Sequence, residues 1–127
     1  MNEKIIQIIL NHHPDTEAIY LFGTFDTPNQ REDSDMDIAI LLTPAEAKQV
    51  GSLVLGKLYA DLRKTFNREV DLINLRLAPT ILQKEIIADD RRIYVADEYA
   101  AAEFEMLIIS YYQRLNEERA EIIEDAL

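Results

Sequence analysis

Two aspartates open an apolar run. Asp35-Met36-Asp37 leads directly into Ile38-Ala39-Ile40-Leu41-Leu42, a stretch that reads as a buried strand, and burying unpartnered charge is costly. Residues two apart in an extended chain project to the same face. Asp35 and Asp37 therefore stand side by side, roughly 7 Å apart along the strand, within reach of one shared ion. Asp71 repeats the theme between Val70 and Leu72. If the two strands are neighbours, three carboxylates converge, enough for one or two divalent cations flanking a phosphoryl centre. Magnesium suits such a site, because it takes carboxylate and phosphate oxygens together. Singly, each aspartate is also consistent with an ordinary turn; the shared phase of all three favours the metal.

The rest of the chain supplies a scaffold for these groups. Ile5, Ile6, Ile9 and Leu10 have helical spacing, ended by Pro14. Apolar strands are predicted at 18–22, 38–42 and 69–75. Thr43, Pro44 and Glu46 form a capping box with proline in the first turn. Val50, Val54, Leu58 and Leu62 follow at every fourth position, with Leu53 alongside, which predicts one amphipathic helix. Pro79 opens another, 91–97 reads as a short strand or an extended return, and 98–126, free of proline and glycine, as one long helix. Strands alternating with helices predict an α+β (mixed α/β) fold, a small mixed sheet flanked by helices.

Composition narrows the partners. The 127 residues suit a single domain, 1–127, and carry a net charge of −11, with 13 basic against 24 acidic residues. A nucleic-acid backbone calls for clustered Lys and Arg, and Arg91-Arg92 is the only adjacent pair of arginines. Direct nucleic-acid binding is not expected; a basic protein, or a substrate whose phosphates are bridged by metal, fits better. There is no cysteine, no signal-peptide pattern and no apolar run of bilayer length. The expectation is a cytoplasmic chain without a membrane role.

Gly23-Thr24 completes the pattern. Glycine lets backbone approach a phosphate closely, and threonine adds a hydroxyl. Gly23-Thr24, ten residues, then Asp35-Met36-Asp37 resembles the G-S-x10-D-x-D signature of the nucleotidyltransferase superfamily. More narrowly, the chain resembles the minimal nucleotidyltransferase (MNT) antitoxins that accompany HEPN-domain toxins, and does so over nearly its whole length. The resemblance implies that Asp35 and Asp37 hold magnesium, that Asp71 is the third metal-binding carboxylate and assists deprotonation, and that Gly23 and Thr24, with Ser34, contact nucleotide. It implies transfer of AMP from ATP to a tyrosine of the cognate HEPN toxin, silencing its ribonuclease. Thr24 replaces the usual serine, and Pro28, which has no N–H, stands where many members have a second glycine. These departures keep open an antitoxin that covers its toxin without chemistry. A transferase for small hydroxylated molecules usually needs an added substrate domain, for which this chain has no room.

A helix over 98–126 would run about 43 Å, against about 30 Å for a compact domain of this size. Tyr111, Tyr112, Leu115, Ile122 and Ile123 are therefore candidates for contact with a partner, either the toxin or a second copy. His12 and His13 read as helix-end histidines. Arg76 reads as a phosphate contact or the partner of a surface acid. Tyr59, Tyr94 and Tyr99 read as core or boundary aromatics.

Overall fold

In a computed structural model of the chain, the apolar runs become β1 (Ala18–Leu21), β2 (Met36–Leu41) and β3 (Val70–Asn74), and Arg92–Val95 adds β4. The structure describes residues 1–25, 27, 28, 30, 35–54 and 56–126, with 120–126 as helix backbone alone. The strands form one sheet in the order β3-β2-β1-β4, with β2 and β3 parallel and the other pairs antiparallel. This is the mixed α+β arrangement expected. A parallel pair needs a long crossover, supplied here by α2 (Pro44–Val50) and α3 (Lys57–Phe66).

Side-chain alternation splits the core between the two faces of the sheet. Ile19, Leu21, Ile38, Ile40 and Leu72 pack toward α1 (Asn2–His12) and α3, against Ile5, Ile9, Leu58 and Leu62. Ala18, Tyr20, Ala39 and Leu41 pack toward α4 (Thr80–Asp89) and α5 (Glu98–Ala126), against Ile86, Ala101, Phe104 and Ile108. Each fully buried isoleucine or leucine contributes roughly 1.5–3 kcal/mol relative to an exposed one, so both faces are strongly specified. The Tyr20 hydroxyl donates to Glu105 Oε1 at 3.0 Å, tying α5 to the middle of the sheet; burial and the Glu105 charge push this phenol well above its ordinary pKa.

The single helix expected after Thr43 is two. The cap is present, with the Glu46 N–H donating to Thr43 Oγ1 at 3.3 Å, but α2 stops at Val50. Gly51 adopts φ +65°, a conformation that glycine takes without the Cβ penalty. Asn74 then holds the break: its amide donates to the carbonyls of Ala47 (3.0 Å) and Gly51 (2.8 Å). Val54, read as part of the apolar stripe, is exposed. The terminal helix does run unbroken over Glu98–Ala126. Its last buried apolar side chain among the described residues is Ile108, after which Tyr111 and Leu115 face outward and Tyr112 stacks with the Lys84 ammonium at 4.8 Å. The side chains of Ile122 and Ile123 lie outside the described residues. Tyr99 is a correction: at 77 % exposure it is not a core aromatic, because α5 turns that position away from the sheet.

Candidate active site

The parallel register places Asp37 directly opposite Asp71. Both carry the alternation phase of Ala39 and Ile73, so they project on the side of α4 and α5. Asp35 lies just before β2, near enough for its charge to act on both Asp37 and Asp71. The three carboxylates therefore gather where β2 and β3 begin. Burial, followed by the charges of Asp71 and Asp35, raises Asp37 to a pKa of about 6, with Arg91 acting in the opposite direction. Asp71 is raised as well, by burial and then by Asp35.

Gly23 lies against this group. The end of β1 stays in register with β2 through the Phe22 N–H, which donates to the Asp37 carbonyl at 3.1 Å. The chain then turns at Gly23 with φ +65°, and a Cβ built there would fall 2.4 Å from Asp37 Oδ2. A side chain there would have to displace the Asp37 carboxylate, so glycine lets the turn close over it. The Thr24 carbonyl is held by Thr27, through its N–H (3.2 Å) and its hydroxyl (2.6 Å). Ser34, expected among the nucleotide contacts, lies outside the described residues.

Arg91 escaped the sequence reading, which weighed it only as half of a basic pair. It arrives because β4 pairs with β1: the Leu21 N–H donates to the Arg91 carbonyl at 2.9 Å. Its guanidinium donates to the carbonyls of Gly23 (2.7 Å) and Phe25 (2.5 Å) and to Asp89 (2.9 Å). No local signal announces this, since the contacts span 66 and 68 residues.

Other candidates fall elsewhere. Arg76 lies at the other end of the sheet: it donates to the Leu42 carbonyl and to Glu17 and lies over the Phe104 ring. His12 pairs with Asp61 (3.1 Å) and His13 with Glu46 (2.7 Å), ordinary partners for helix-end histidines.

The donor set fits a hard divalent cation. Every donor is a carboxylate oxygen, three formal charges gather at one place, and the nearby guanidinium is engaged with backbone carbonyls. Among the described residues no three acidic, histidine or cysteine side chains already close around one point.

Comparison with known proteins agrees with this geometry. A family model described as Polymerase beta, Nucleotidyltransferase matches residues 3–99. The chain is 31 % identical over 128 residues to the protein adenylyltransferase MntA of Shewanella oneidensis, covering all of this chain and 88 % of that protein. Among solved structures, it is similar to a toxin–antitoxin crystallised with AMP-PNP (TM-score 0.76, 29 % identity, 98 % of this chain and 97 % of that one). It is also similar to a chain of the tri-AMPylated Shewanella oneidensis HEPN toxin in complex with MNT antitoxin (TM-score 0.71, 28 % identity, 98 % and 94 % covered).

Proposed function

The chain belongs to the Polymerase beta nucleotidyltransferase family, and on that premise we propose that it is an antitoxin that silences a HEPN-family toxin by moving AMP from ATP onto a toxin tyrosine. The observation that carries this reading is the Asp37–Asp71 register beside Gly23, whose missing side chain leaves room against the Asp37 carboxylate.

Each group has a task. Asp35 and Asp37, with Asp71, would hold magnesium, which when bound supplies positive charge to the α-phosphate and to the departing pyrophosphate. The Gly23–Phe25 turn receives the phosphates through its backbone and the Thr24 hydroxyl. Asp71 takes the proton of the tyrosine hydroxyl, a role suited to a carboxylate of raised pKa. The new bond joins the tyrosine oxygen to the α-phosphorus; the bond from that phosphorus to the bridging oxygen breaks, and pyrophosphate leaves with both electrons. The chain contributes mainly position and charge. A substrate drawn from the ATP pool, and a toxin that acts on RNA, fit a reaction in the cytoplasm. Among the described residues no helix is long and apolar enough to cross a membrane.

The test is transfer of label from α-phosphate-labelled ATP to the cognate HEPN toxin. Wild type labels the toxin with magnesium present, and Asp37→Asn lowers the rate by about a thousandfold or more while remaining folded. An Asp37→Asn variant that labels at the wild-type rate overturns the assignment. Pro28 in place of a second family glycine favours the alternative, neutralisation by binding alone; full protection by Asp37→Asn in cells would establish it.

A further inference from the structure

We infer that Arg91 is a positioning residue for the nucleotide: it shapes the 23–25 turn into a phosphate receptor without touching the reacting atoms. The inference rests on the nucleotidyl-transfer reading above and adds a residue to it.

Three observations carry it. First, Arg91 is anchored at both ends of its own structure. Its carbonyl accepts from Leu21 at the end of β1, while its side chain reaches the turn that follows. Second, the guanidinium uses all three of its nitrogens. Nη2 and Nη1 take the carbonyls of Gly23 and Phe25, and Nε takes Asp89. A planar fork fixes such a set in a way that a point charge on a flexible stem does not. Third, the peptides here are trans, so a carbonyl and the N–H that follows it point in opposite directions. With the Gly23 carbonyl drawn to Arg91, the Thr24 N–H faces away from it. With the Thr24 carbonyl drawn to Thr27, the Phe25 N–H is likewise set. Among the described residues, neither of these two amides donates to a protein acceptor. Successive free amides in a turn make an anion-binding concavity, and this one abuts Asp37.

Fixing the turn before nucleotide arrives removes an ordering cost from binding. Loss of Arg91 should therefore weaken nucleotide affinity and leave the chemical step largely intact. The experiment uses the full chain as wild type, Arg91→Ala and Arg91→Lys. AMP-PNP affinity is measured by calorimetry with magnesium, and KM and kcat for ATP are measured with the cognate toxin as acceptor. Both Kd and KM should rise about tenfold or more in Arg91→Ala, with kcat changed much less. Added guanidinium ion at tens of millimolar should recover part of the affinity, where equal sodium chloride does not. Arg91→Lys keeps the charge but lacks the planar fork that holds both carbonyls and Asp89 at fixed positions, and should be impaired as well.

Unchanged Kd in the folded Arg91→Ala chain overturns the inference, as does a fall in kcat at constant KM. If Arg91→Ala does not fold, Arg91→Lys decides, and an affinity within about twofold of wild type overturns it. A wild-type chain that binds no AMP-PNP overturns the nucleotidyltransferase reading and the role of Arg91 together, a result distinct from the others.

Discussion

At the end of the sheet where β2 finishes, Arg76 meets Glu17 at 2.6 Å, donates to the Leu42 carbonyl and lies 5.3 Å from the centre of the Phe104 ring. At the end where β2 begins, Asp35, Asp37 and Asp71 lie close together, and the Arg91 guanidinium bonds to the carbonyls of Gly23 and Phe25 and to Asp89. The first end satisfies its charges and covers them; the second leaves like charges repelling. Such repulsion is relieved by taking up a proton, as the raised Asp37 pKa shows, or by a bound counter-charge. The contrast separates a charge paired within the fold from charges left unpaired beside it, a distinction that residue type alone does not make.

Breaking the satisfied end should have the largest effect on stability. Arg76→Ala leaves Glu17 largely buried without its partner and should cost about 3 kcal/mol, read by urea unfolding, with AMP transfer per folded molecule unchanged. A loss of transfer without a loss of stability would mean that Arg76 belongs to the site.

Gly23→Ala should invert that result. The added methyl meets the movable end of Asp37 rather than backbone, so the fold loses only about 1 kcal/mol for a positive φ. Displacing Asp37 by an ångström or so should cost about a hundredfold in transfer. Near-normal activity in Gly23→Ala would remove the close approach from the mechanism.

The smallest effect concerns pH. Asp37 binds its proton more tightly in the folded protein, at about 6, than its ordinary 3.8. Its favourable contribution is complete below 3.8 and disappears as pH rises through about 6, because over that window the folded state holds the extra proton. Without magnesium, wild type should lose up to about 1 kcal/mol there, an effect limited by solvent screening, and Asp37→Asn should show a flatter profile in thermal unfolding. Magnesium at neutral pH should restore the loss in wild type and have less effect in the variant. Equal magnesium responses would place the ion elsewhere.

Much of this was legible locally. The strand phase of Asp37 and Asp71, the cap at Thr43 and the uninterrupted run after Glu98 depend on residues a few positions apart, and all reappear in the fold. The periodic stripe from Val50 to Leu62 misled because Gly51, held by the distant Asn74, outweighs a repeat of four. Tyr99 misled because an aromatic residue carries no record of which side of its helix the sheet will occupy.

Periodicity and capping are short-range, so the sequence by itself determined where most strands and helices form and that Asp37 and Asp71 each interrupt an apolar strand. Strand neighbourhood is long-range: it is chosen by which arrangement buries both faces of the sheet at once. Only the tertiary structure, by that criterion, could set Asp37 opposite Asp71 and carry Arg91 to the turn at Gly23.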